Sequence, residues 1–303
     1  DSAGILMFEQ CSDNRILRNS ATHGGDGLFA FSGVEALGEA APAAAPDRAA
    51  AWHAGRGHRG NLIAENDFSH AAAHGLELTF AFDNRIHGNR LVGNAICGIW
   101  GGYSRGTLID GNLLEANGDA GYGLERGGIN IEHGIANRIL DNEFVSNACG
   151  VHLWNDDPDP FARTPWGVIN DTRGRDSQLL GNRFRGDAVA VQLRDAGRLV
   201  MAGNRFDGVP ETLQADEPSL AALERIMPHV AAAIAAVDGD AMLREAGLGP
   251  GRDPRGARAA LGGRDAIIMG PYDPWDHEGL LLQRIQRTDL YDQWRILGPD
   301  GVV

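Results

Sequence analysis

Residues Gly128–Phe144 read "GINIEHGIANRILDNEF". The first half alternates apolar and polar residues, as a strand with one buried face does. Gly134 interrupts it, and the second half resumes with Asn137, Ile139 and Asn142. That second half recurs along the chain as "NRILRNS" from Asn14, "NLIAENDF" from Asn61, "NRIHGNRL" from Asn84, "TLIDGNLL" from Thr107, "SQLLGNRF" from Ser177 and "RLVMAGNRF" from Arg198. In register, the later asparagine forms the series Asn19, Asn66, Asn89, Asn112, Asn142, Asn182 and Asn204. Two residues beyond it, from Asn66 onward, stands a large apolar side chain: Phe68, Leu91, Leu114, Phe144, Phe184 and Phe206. The first half recurs as well, as "GLELTF", "GIWGGY", "GVHLWN" and "AVQLRD".

From Asn66 to Asn89 and from Asn89 to Asn112 the spacing is 23 residues. Such a period with two or three short strands per turn predicts a solenoid, whose turns share one continuous core. Stacked asparagines suit its bends, because their amides satisfy turn backbone and each other. These asparagines therefore read as architecture.

The repeats resemble those of the right-handed parallel β-helix superfamily, over about residues 1–208. That group includes pectate lyases, polygalacturonase-type hydrolases, mannuronan epimerases and the periplasmic maturation proteins of nitrous-oxide reductase. The resemblance implies an all-β, right-handed parallel β-helix, a poly- or oligosaccharide partner, and a secreted or periplasmic location. Residues 209–303 break the repeat. An alanine-rich stretch interrupted by Pro228 and Gly239 reads as one or two helices, and a Gly/Pro/Arg-rich linker follows. This part is expected to form a small helical and irregular C-terminal subdomain that caps the open end of the solenoid.

Composition narrows the chemistry. The formal charge is −14, which disfavours duplex nucleic acid and anionic membrane surfaces. All 27 basic residues are arginine, so no step can use a lysine base or Schiff base. No apolar run reaches the ~18 residues of a membrane span, so no membrane insertion is expected. No cleavable signal is visible, and "DSAGILMFEQ" looks like the middle of a repeat, so an upstream segment is expected. Cys11, Cys97 and Cys149 are an odd number, and the last two lie two turns apart, beyond disulfide reach.

With Ile129 and Ile131 facing inward, Asn130 and Glu132 face outward. The same outer face should carry Glu77 and Thr79, Trp100 and Gly102, His152 and Trp154, and Gln192 and Arg194 in neighbouring turns. Trp100 and Trp154 are expected to be partly exposed as a sugar platform, since indole rings stack on pyranose faces. Insertions at about residues 33–59 and 158–176 leave the coil past the same strand. They are expected to build a cleft, with Trp52, His53, Arg163 or Trp166 reaching over the face.

Glu132–His133 is peculiar to this turn, and the next turn supplies Asp156 and Asp157. Strand geometry places Glu132 and Asp156 very roughly 8 Å apart at the backbone. That lies near the ~6.5–9.5 Å carboxyl separation of inverting glycosidases. The leading expectation is glycoside hydrolysis by Glu132 and Asp156, with Asp157 and His133 assisting. Glu77, Trp100, Asn130, His152, Trp154, Arg126 and Arg194 would contact the sugar. The second reading is a uronate lyase or C5-epimerase, in which Tyr103 and His133 exchange the C5 proton and Arg194 or calcium neutralises the carboxylate. The third is noncatalytic glycan binding. Against each role stands an ordinary one: Glu132 pairing with Arg126 or Arg194, His133 holding backbone, Asp156 and Asp157 shaping a turn, and Tyr103 packing.

No cofactor is required, and no His/Cys cluster has metal-site spacing; calcium is the one cation that "NDDPD" could help hold. The polygalacturonase motif order is not matched, because Glu132–His133–Gly134 precedes Asp156–Asp157 and the final Arg-Ile-Lys motif is absent. "DPWDH" from Asp273 is only loosely similar to the Asp-Pro-His-Asp of mannuronan epimerases and falls outside the repeats.

Overall fold

A computed structural model describes residues 3–33, 46–54, 56–121, 123–226, 236–267, 282–287 and 292–296. The "DPWDH" run lies outside the described residues. Three parallel sheets wrap one core. Sheet I stacks eight strands in chain order: Ala3–Phe8, Asp26–Phe31, His74–Thr79, Cys97–Gly102, Gly127–Glu132, Val151–Trp154, Val191–Arg194 and Gln214–Ala215. Sheet II also stacks eight, from Arg15–Leu17 to Leu223–Arg225, and sheet III stacks five, from Arg90–Val92 to Arg205–Asp207. Every neighbouring pair within these three sheets is parallel, one coil to the next, so the chain is a right-handed parallel β-helix.

Period-two alternation fills the interior. Leu28, Leu76, Ile99, Ile129, Val151 and Val191 align in one buried column of sheet I. Ile63, Ile86, Ile109, Ile139 and Leu179 do the same in sheet II. Phe68, Leu91, Leu114, Phe144 and Phe184 are fully buried, and the rings of Phe144 and Phe184 stack at 4.6 Å. Phe206, on the last described strand of sheet III, is 40 % exposed.

The asparagine column forms as expected. From Asn19 through Asn66, Asn89, Asn112, Asn142 and Asn182 to Asn204, each Oδ1 accepts the backbone and side-chain N–H of the preceding asparagine at 2.8–3.1 Å. A further ladder, not drawn from the sequence, runs through Asn94, Asn117 and Asn147 and ends on the buried carboxylate of Asp187.

The coil also continues past residue 208. Strands Gln214–Ala215 and Leu223–Arg225 add another turn, joined by the helix Glu217–Ala222. Asp216 replaces the asparagine logic here: its carboxylate accepts the N–H of Asp195 from the coil before and caps the helix at Ser219. Beyond it, residues 236–267 run along the side of the early coils. Arg18 donates to the carbonyls of Gly249 and Pro250, the buried Glu65 accepts the Arg252 N–H, and Asp67 accepts the Gly256 N–H. Among the described residues no helix is long and apolar enough to cross a membrane.

Candidate functional site

The register of the outer face of sheet I is the expected one. Glu77, Trp100, Asn130, His152 and Gln192 lie in one column, and Thr79, Gly102, Glu132, Trp154 and Arg194 in the next. This face is a channel between two walls, however, and not an open platform.

The first wall is the segment leading into Gly127–Glu132. Asn130 and His152 are completely buried beneath it, and both donate to the Leu124 carbonyl, at 2.7 and 2.9 Å. Burial pushes the His152 imidazole down to about 4, so it is neutral at physiological pH. Trp154 is 6 % exposed, because its indole N–H donates to Asn130 Oδ1 at 2.8 Å and the ring lies down into the floor. Asn130, His152 and Trp154 thus hold the wall together, which corrects the expectation of two open tryptophans. Trp100 alone stays half-buried beside the channel. It lies over Gly102, where a Cβ would come within 2.6 Å of the ring, so the indole can be there only because that residue is glycine.

The second wall is the insertion after Trp154. Phe80, Tyr103 and His133 occupy the same corner of successive coils, all with φ near +50°. That left-handed backbone is unusual for such side chains and turns them outward. Tyr103 stacks on Phe80 at 5.3 Å and on His133 at 4.7 Å, and the insertion lays Phe161 and the fully buried Trp166 against the stack. The Tyr103 hydroxyl donates to Asp159 Oδ1 at 2.9 Å. His133 donates from Nδ1 to the Thr172 carbonyl and accepts the Asp156 N–H at Nε2, at 2.8 and 3.1 Å. Both ring nitrogens are therefore engaged in holding the insertion. The first insertion braces the second: helix Pro46–Ala54 packs on helix Pro165–Asn170, with Asn170 donating to the His53 carbonyl. Trp52 carries the Arg56 guanidinium 3.9 Å above its ring, and Arg163 is exposed.

Between the walls the residues that remain accessible are mainly acidic. Glu132 and Asp156 are brought together, with their side chains within interacting reach of each other. Burial, followed by the charges of Asp156, Glu125 and Asp159, pushes the Glu132 carboxyl up to about 8. Among the described residues no arginine forms an ion pair with it. Asp157 is exposed in the turn and stays apart from this cluster; Asp159, which sequence reasoning passed over, is the residue that joins it. Burial works against the Asp159 charge, but hydrogen bonds from Thr172, Phe161 and Tyr103 outweigh it and hold the carboxyl below its ordinary value. Arg126 and Arg194 are exposed at the rims.

A second polar cluster lies two coils earlier, where Asp26, His74 and Glu77 meet. Burial opposes charge on the His74 imidazole, yet the proximity of Asp26, Cys97 and Glu77 raises its pKa well above the usual value. Glu125 from the first wall feels both clusters: burial raises its pKa, His74 lowers it, and Glu77 and Asp156 raise it. Elsewhere, a concavity of about 550 Å³ between sheets II and III is lined by Asp141, Glu143, Arg183 and Arg205. The last two of these are open to solvent, so that concavity offers no comparable desolvated pair.

A family profile described as a right handed beta helix region matches residues 49–162. Among curated proteins, no sequence matches the chain. Among solved structures, a mutant of the periplasmic alginate epimerase AlgG superposes with a TM-score of 0.52 at 15 % identity, over 74 % of this chain and 47 % of its own. The A-module of an Azotobacter vinelandii mannuronan C-5 epimerase gives 0.49 at 13 % identity, over 75 % and 58 %. The chain therefore spans about half the length of the structures it matches, and the likeness is one of fold.

Proposed function

We propose that this right-handed parallel β-helix protein acts on a uronate-containing polysaccharide laid along sheet I, transferring the C5 proton in the manner of a C5-epimerase or lyase. The observation that carries the proposal is the Glu132–Asp156 pair. The two carboxyl groups approach closely enough to act on each other directly, nearer than the ~5–5.5 Å of retaining or ~6.5–9.5 Å of inverting glycosidases. Too little room is left for the water or the sugar that hydrolysis needs between them, so the hydrolytic pairing expected from the sequence fits less well. A carboxyl held protonated beside a second acid is suited to proton transfer instead. The neutral acid donates a hydrogen bond to an oxyanion, while the carboxylate takes a proton from carbon.

In this reading Asp156 abstracts the C5 proton. The C–H electron pair moves into the uronate carboxyl group, and Glu132 stabilises the resulting dianion by donating its proton in a hydrogen bond. Return of a proton from solvent water to the other face completes epimerisation, whereas in elimination the electron pair forms the C4–C5 double bond, the C4–O bond breaks, and the departing oxygen takes the proton held by Asp156. Arg126 and Arg194 at the rims suit the carboxylates of flanking sugars, and Trp100 offers a ring to one of them. The alginate epimerase of the same fold supports this substrate class and a periplasmic or secreted setting. Tyr103 and His133 act as positioning residues, because Asp159 and Thr172 already occupy them.

The test is a panel of neutral and uronate polysaccharides, followed for reducing ends, ultraviolet absorbance of unsaturated products, and C5 configuration. Changed configuration or absorbance on a polyuronate is expected. Reducing ends alone, on any member of the panel, would return the site to hydrolysis.

A further inference from the structure

The cluster of Asp26, His74 and Glu77 plays no part in the proton-transfer reading, and its geometry is that of a ligand set. His74 Nδ1 lies 3.4 Å from Asp26 Oδ1 and 3.1 Å from Glu77 Oε2. Donor atoms spaced about 3.0–3.6 Å apart are what a divalent ion with bonds of ~2.0–2.2 Å draws around itself. The His74 side chain is about nine-tenths buried, yet neither ring nitrogen makes a directed hydrogen bond. Its nitrogen therefore faces two carboxylate oxygens without lying on an N–H axis to either. Leaving such a group buried is costly unless something else satisfies it.

We propose that Asp26, His74 and Glu77 bind a divalent first-row metal ion of the zinc or cobalt class. One imidazole nitrogen with two carboxylates suits such ions better than calcium, which takes an all-oxygen set. The supporting shell is present: Asp26 Oδ1 also accepts the His74 backbone N–H at 3.0 Å, which fixes the carboxylate, and Cys97 lies against the imidazole. The three residues come from adjacent strands of sheet I, so the ion joins two coils covalently remote by 48 residues. Its charge would also offset Asp26 and Glu77 beside Trp100.

The alternative occupant is a proton, with His74 as an imidazolium between two carboxylates. Titration of the chelator-treated chain with cobalt(II), read by its visible absorption and by calorimetry, separates the two. One ion per chain is expected. Glu77→Gln and His74→Gln should weaken binding on the order of a hundredfold or more, since even supporting-shell changes reach that range. Glu132→Gln should bind as the wild type does, which keeps this site distinct from the proton-transfer pair. Absence of saturable binding overturns the proposal, and so does unaltered affinity in Glu77→Gln. Glu77 is partly exposed, so its variant decides the matter even if His74→Gln fails to fold.

Discussion

Glu132 is a carboxyl group with little water around it and three other acids close by. Its pKa of about 8, against 4.5 for an unhindered glutamate, links the site to stability. Between those values the folded protein keeps a proton that the unfolded chain has released, so stability falls as pH rises through the window. Below it both states are protonated and the contribution vanishes. Glu132→Gln keeps the size and polarity of the side chain without the ionisation, and should therefore raise stability at pH 8 by roughly 2–4 kcal/mol while changing little at pH 4. Thermal unfolding midpoints at the two pH values check this, and a variant no more stable than wild type at pH 8 would contradict it. His152 acts at the other end: its imidazole, held at about 4, is neutral when the unfolded chain takes up a proton below 6.5, so stability is lost as pH falls through that range.

At the scale of the element, the coil is held by stacked rings and amide ladders, and these were the legible part of the sequence. The asparagine column and the sheet I register follow from fixed spacing and from alternation, which every coil repeats. Phe144→Ala should accordingly cost about 3–5 kcal/mol in chemical denaturation, because Phe184 and the neighbouring coils cannot close the space. The walls were not legible in the same way. The burial of Trp154 depends on one acceptor, Asn130, and on a non-repeating segment that reaches Leu124. Asp159 enters the site because Tyr103 needs a partner beneath the insertion, and no period marks it. The Asp26–His74 contact spans 48 residues and two kinds of connection. Trp166 is the anchor of the second wall. Trp166→Ala should leave the far-ultraviolet signature of the coils intact while making residues 158–176 the first site of limited proteolysis; cleavage no faster than wild type would show that the insertion holds without it.

At the scale of the molecule, eight strands stack in sheet I with the two walls flanking its middle coils, and residues 236–267 brace the early coils through Glu65 and Asp67. A chain ending after residue 226 should take up deuterium faster at residues 62–70, which lose the contacts of Arg252 and Gly256 with Glu65 and Asp67, and unchanged at 143–154; uniform uptake would contradict this division. The proposed reaction moves a proton at C5 of a uronate residue bound along sheet I. Proton magnetic resonance of a polyuronate incubated with the protein in deuterium oxide tests it most directly. Deuterium should enter C5 with the wild-type chain, slow by ~10²-fold or more in Glu132→Gln and Asp156→Asn, and persist in Glu115→Gln, which alters an acid on sheet III away from the channel. Chain cleavage without deuterium at C5, or wild-type exchange in Glu132→Gln, would contradict the claim.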